Sequence, residues 1–144
     1  PVVTGADVLS WNDDGGDHPD QAQYLTDGNR DTIWNTRYFD VNQFTPGTEI
    51  MVMLYLEKPA SISNVHVFAD GSGGDIQILA VDPNNPRGEG TELARGALTD
   101  TGETTFTVDP PKEATAVALK FIALPTDWSA EAVPRAAIRD ITVD

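Results

Sequence analysis

The heptapeptide IMVMLYL at residues 50 to 56 is apolar at consecutive positions rather than at alternate ones. Side chains of a strand point alternately to its two faces, so a strand with this sequence is stable only where both faces are covered. The run is far too short to cross a bilayer. It therefore predicts a central strand of a layered fold, with Tyr55 reaching an edge. Elsewhere helical periodicity is weak, and short β-rich runs recur between clusters of Gly, Pro, Asn and Asp. The predicted strands are Ala6 to Trp11, Glu49 to Glu57, Asn64 to Ala69, Asp75 to Val81, Thr91 to Leu98, Glu103 to Val108, Thr115 to Leu124 and Ala137 to Val143. The segments DPNNPRGEG, TDTG and DPPKE between them carry turn chemistry: Pro presets φ, Gly tolerates positive φ, and Asn and Asp bond their own backbone. These strands predict an all-β fold, an antiparallel two-sheet jelly-roll sandwich with long loops gathered at its ends.

Within Thr115 to Leu124, Val117, Leu119 and Phe121 share one face and Ala118 and Lys120 the other, so the first three are expected in the core. Gln21 to Leu25 is expected to make one helical turn, capped by Asp20 or opened by Pro19. At 144 residues and 40% hydrophobic, residues 1–144 read as one domain with enough core to need no covalent staple. The formal charge of −14 repels phosphate backbones and anionic membrane surfaces, which argues against a nucleic-acid partner. Without cysteine there are no disulfides and no zinc–thiolate sites. A chain that starts at Pro1 is expected to be excised from a larger protein.

The stretch DGNRDTIWNTRY at 27 to 38 supports several readings. Asp27, Asn29 and Asp31 have the spacing of the first half of a calcium loop, but an EF-hand needs Gly and Glu where Thr32 and Tyr38 stand. A calcium site built from main-chain carbonyls, Asp27 and the Thr32 hydroxyl remains compatible. So does a plain turn in which Asp31 or Thr32 satisfies backbone donors. Trp34 is either a core plug, the commoner use of such a residue, or a ligand platform.

YLTDGNRDTIWNTRYF, followed by EIMVMLYLEKPASISNVHVF and AAIRDITV, resembles the discoidin-like (coagulation factor 5/8 type C) jelly roll, the galactose-binding-like fold. The matching positions are Asp27, Gly28, Asn29, Thr32, Trp34 and Thr36 in the turn. Leu54, Leu56, Pro59, Ile62 and Val65 match in the strand, and Ile138, Asp140 and Val143 at the end. The acidic glycine loop before the turn and the segment FIALPTDWSAEAVPRAAIRDITV are similar to the extracellular C-terminal domain of actinobacterial MviN/MurJ-type lipid II flippases. Val133-Pro134 departs from that pattern, as does Asp140 in place of glutamate; Arg135-Ala136 keeps it. The resemblance implies a non-catalytic binding module of a membrane-anchored wall-synthesis protein, itself soluble and monomeric, on the extracytoplasmic face. Its implied partner is a cell-wall glycan or peptidoglycan fragment, or alternatively a protein of the wall-synthesis or division machinery. It also implies a structural calcium held by Asp27, Asn29, Thr32 and Asp140, whose side chain is one methylene shorter than glutamate; no other cofactor is required.

Sugar sites pair a flat aromatic ring with charged or amide groups for the hydroxyls, and Arg37, Tyr38, Asp70, Trp128 and Arg135 are loop residues of those types. In discoidin-like modules the equivalent loops cluster at one end of the sandwich. The alternatives are that Trp128 pins a loop and that Arg37 and Arg135 pair with surplus carboxylates. Asp13, Asp14, Asp17 and Asp20 are expected to form a solvated, flexible loop rather than a metal site or the acid/base pair of a glycan hydrolase. His66, inside a strand, is expected to point away from Val65 and Val67. DGSGGD at 70 to 75 connects two strands and lacks the helix a phosphate cradle needs.

Overall fold

The computed structural model describes residues 1–12, 14–129 and 131–144. Its strands are β1 (Val3–Leu9), β2 (Trp34–Asn35), β3 (Met51–Ala69), β4 (Gly73–Val81), β5 (Thr91–Leu98), β6 (Glu103–Ala123), β7 (Thr126–Asp127), β8 (Val133–Pro134) and β9 (Ala137–Val143). A 3-10 helix spans Pro19–Leu25. Among the described residues no helix is long and apolar enough to cross a membrane.

Two long strands organise the fold. β3 and β6 run antiparallel along nearly their whole lengths, from Met51 opposite Lys120 to Phe68 opposite Glu103. Their register slips between Tyr55 and Ala60 and again between Ile62 and Asn64. Pro59, Pro110 and Pro111 lie in this zone, where the missing N–H groups favour bulges over a regular ladder. Beyond it the ribbon changes neighbours. Its first half takes β1 beside β3 and, beside β6, β4 followed by β5. Its second half takes β9 beside β3, and β9 pairs with β2. The result is an antiparallel β-sandwich in which one ribbon serves both layers.

The layers bury Val52, Leu54, Ile76, Ile78, Val117, Leu119 and Phe121 from one half against Val65, Val67, Phe106 and Ile141 from the other. Trp34 and Leu25 are fully buried in the same core. Each such side chain contributes about 1.5–3 kcal/mol relative to exposure. Met51 and Met53 face the opposite way, in a second cluster with Leu79, Val81, Ala116 and Ala118. Residues 82–90 lie over this face, with Pro86 and Arg87 beside Met51 and Leu79, and Arg87 Nη2 donates to the Glu49 carbonyl at 2.8 Å. Both faces of IMVMLYL are thus covered, and the Tyr55 hydroxyl reaches out to donate to Asp7 at 2.7 Å.

Several sequence expectations need correction. Glu49–Glu57 and Asn64–Ala69 are one strand, as are Glu103–Val108 and Thr115–Leu124, because DPPKE and KPASIS make bulges within a ribbon rather than turns. The first strand begins three residues and ends two residues earlier than expected, since Ser10 and Trp11 leave the sheet. The two-residue strands β2, β7 and β8 had no signal of their own. Pro19 opens the helix, while the residue before it, His18, is left-handed and gives no side-chain cap.

The loops that follow β1 and flank β3, β6 and β9 meet at one end of the sandwich. Gln43 bridges to Ala123 and Ser72 to Thr126, while Phe39 N–H donates to the Pro134 carbonyl and Asp70 N–H to that of Ala137. The β3–β4 turn packs there backbone to backbone: a Cβ on Gly74, whose φ is +76°, would lie 2.7 Å from the Pro125 nitrogen. This is the end on which the candidate residues stand.

Candidate functional site

Arg37 forms part of a cleft of about 150 Å³, together with Trp11, Asn12, Asp17, Phe39, Phe44, Thr48 and Ile50. Phe39 and Phe44 meet edge to face at 5.2 Å, giving the cleft a stiff apolar wall. Trp11 is 71% exposed beside it. The guanidinium of Arg37 is gripped by two carboxylates. Its Nε donates to Asp17 Oδ1 at 3.2 Å, Nη1 to Asp14 Oδ2 at 2.9 Å, and Nη2 to Asp14 Oδ1 and to Asp17 Oδ2. The Asp14 carboxyl is held down at about 2, chiefly by that arginine, and the arginine is raised in turn by Asp14 and then Asp17.

Asp17 is almost wholly buried and also accepts from Ser10 Oγ and from Arg37 N–H. Its carbonyl accepts the Trp34 indole N–H at 2.9 Å, so the core plug and the cleft share one residue. Gly16 lies directly under the guanidinium, where any Cβ would collide with it. The acidic loop is therefore corrected from a solvated, flexible one: Asp14 and Asp17 organise Arg37. Asp20 is exposed in the 3-10 helix, and Asp13 lies outside the described residues.

Arg37 and Tyr38 do not share a site. Arg37 lines the cleft with Phe39, whereas Tyr38, 55% exposed, lies under the Arg135 guanidinium, 4.2 Å from ring centre to cation. Arg135 in turn pairs with the fully buried Asp127, Nε to Oδ2 at 2.7 Å, and Asp127 Oδ1 accepts from Ser129 N–H and Oγ. Trp128, beside Asp127 in the chain, is 47% exposed. Asp70 takes both Nε and Nη2 of Arg139, at 2.8 and 2.7 Å. The loops do converge, but Arg37, Arg135 and Asp70 are each engaged in an ion pair. The tryptophan that shares a cleft with Arg37 is Trp11, which the sequence pattern places only at a strand end. The signal for it was its setting, SWND, a lone aromatic among polar residues.

Asp27, Asn29, Thr32 and Asp140 are brought together. Asp27 accepts from Asn29 N–H at 2.9 Å and from the Thr32 hydroxyl at 2.7 Å, and Asn29 Oδ1 accepts from Asp31 N–H. Asp140 is buried; burial pushes its pKa up, the Gly28 N–H pulls it down and the charge of Asp27 adds to the upward push. Among the described residues no three acidic or histidine side chains are grouped to hold a metal. Two carboxylates that repel one another beside a hydroxyl nonetheless form a donor set that suits a hard cation. His66 is a satisfied strand residue between Thr105 Oγ1 and Asp144, at 2.9 and 2.8 Å.

The fold is that of a class of carbohydrate-binding modules. Solved structures similar over nearly the whole chain include the family 32 carbohydrate-binding module of AlyQ in complex with 4,5-unsaturated mannuronic acid. Its TM-score is 0.68 at 14% identity, covering 99% of this chain and 95% of that one. The family 32 module of C. perfringens NanJ in complex with galactose gives 0.66 at 22% identity, covering 96% and 90%. A pectin-binding carbohydrate-binding module gives 0.64 at 18% identity, covering 99% and 91%. At these identities the likeness establishes the galactose-binding-like β-sandwich. No protein-family model and no curated protein matches the sequence.

Proposed function

We propose that this chain is a non-catalytic glycan-binding module, and that a sugar ring sits in the cleft against Trp11. The observation that carries the reading is Trp11 itself: a large aromatic left 71% exposed at the rim of a cleft with an aromatic wall and an amide, a hydroxyl and a guanidinium inside it. An indole offers its flat face to the C–H face of a pyranose, and a few placed polar groups fix the hydroxyls. The similar fold of modules solved with galactose and with an unsaturated mannuronic acid supports this use of the architecture. Arg37 contributes through its remaining Nη1 hydrogen. Tyr38, Trp128 and Arg135 flank the same end as a second aromatic surface.

The particular glycan we propose is of the cell wall, with the parent a MviN/MurJ-type membrane protein and the module on its extracytoplasmic face; the motif resemblance supports this part of the reading. A structural calcium at Asp27, Asn29, Thr32 and Asp140 completes it. The direct test is titration of purified peptidoglycan fragments and neutral oligosaccharides into the wild type, Trp11→Ala and Trp128→Ala. Trp11→Ala is expected to weaken binding at least about tenfold, equivalent to about 1.4 kcal/mol. Binding that is indifferent to Trp11 but lost with Trp128→Ala moves the site to the Tyr38 surface, and binding indifferent to both overturns the reading.

A further inference from the structure

The similar modules of known structure include one in complex with a neutral sugar and one with a uronate, so the architecture itself does not choose between them. Side chains must. Accepting a carboxylate needs a cation whose N–H groups are available to it. Arg37 is the one cation lining the cleft among the described residues, and four of its five N–H groups already go to Asp14 and Asp17. Two carboxylates on one guanidinium, Asp17 in the lining of the cleft and Asp14 beside it, leave a net negative charge at the cleft. Of the other arginines described at this end of the sandwich, Arg135 is paired with Asp127 and Arg139 with Asp70, and Arg30 lies over the Phe68 ring, outside the lining of the cleft. The surrounding chain, at −14, adds to the same field.

We propose that the cleft selects its glycan by charge: it accepts neutral sugars and rejects those carrying uronate carboxylates, and Asp14 and Asp17, closed on Arg37, are the elements that set this. The inference rests on the glycan-binding reading and sharpens it. Asp14 is the exposed half of the clamp and Asp17 the buried half, so Asp14 is the part that can be released without opening the core. Asp14→Asn keeps an acceptor for Gly16 N–H but loses the charge on Arg37.

The experiment titrates a neutral galactotetraose and a size-matched tetragalacturonate into wild type and Asp14→Asn, at low and high salt. Wild type is expected to bind the uronate at least about tenfold more weakly than the neutral sugar, as like charges brought together require. Asp14→Asn is expected to gain uronate binding, and added salt to weaken that gain. Equal binding of the two sugars by wild type overturns the inference and leaves the glycan reading standing. An Asp14→Asn protein that folds, binds the neutral sugar and gains no uronate affinity overturns the role given to the clamp. If wild type binds neither sugar and Trp11→Ala changes no glycan titration, the glycan reading fails and this inference falls with it.

Discussion

The Asp14–Asp17 pair stands in the loop after β1, and the Asp27–Asp140 pair joins a turn to strand β9; both are built from the same residue type, yet their charges meet opposite surroundings. The first pair closes on Arg37, and the arginine draws Asp14 down to about 2. In the second pair Asp140 is raised chiefly by burial and further by the charge of Asp27, while the Gly28 N–H and the more distant charge of Arg30 pull it down. The chain sets its own guanidinium between two carboxylates in one place and leaves two carboxylates to repel one another in the other. Clustered acids in a sequence thus do not define a chemistry until the fold decides what stands between them.

The largest test of this contrast is Asp17→Ala. It strips a buried acceptor from Ser10, from Arg37 N–H and from the guanidinium, and is expected to cost about 3 kcal/mol in denaturant unfolding. A loss under about 1 kcal/mol would mean that Arg37 is held by Asp14 alone. Next is calcium. At a hundredfold excess over its dissociation constant a cation stabilises the fold by about 2.7 kcal/mol, so the melting temperature is expected to rise with calcium and fall with chelator. Asp140→Asn is expected to abolish that response; a melting temperature insensitive to calcium in the wild type removes the cation site.

The smallest effects come from acid titration, where the two pairs have opposite signs. A raised carboxyl binds its proton more tightly in the folded state, so acidification from the raised Asp140 pKa down to the ordinary 3.8 relieves a penalty. A depressed carboxyl does the reverse: the contribution of Asp14 is intact above 3.8 and is lost as the pH falls through about 2. Stability measured between pH 6 and 2 is expected to lose its upper limb in Asp140→Asn and to show a weaker lower limb in Asp14→Asn.

Local pattern revealed part of this. Thr91–Leu98 and Ala137–Val143 are strands with the bounds their alternation predicts, and Trp34 is the plug its apolar neighbour and position suggest. Prolines misled, because Pro59 and Pro110 read as chain breaks when a paired strand can carry them at a bulge. Arg37 and Tyr38 are adjacent in sequence and were grouped, but successive residues of an extended segment face opposite ways, and the structure gives each a different partner. Trp11 and Asp17 depart from the sequence expectation for a different reason. Whether a loop residue is left in solvent or sealed under an arginine 20 positions away depends on pairing that no window of sequence contains.

The shared ribbon has a kinetic consequence. Each of β3 and β6 contributes to both layers, and pairing Met51 with Lys120 closes a long stretch of chain before any of its contacts are rewarded. Neither layer can be completed first and left to wait for the other. Folding is therefore expected to be slow and all-or-none, and no half of the sandwich is expected to persist when expressed alone. The loops at the cleft end, anchored to both layers, are expected to acquire their geometry only once both layers have formed.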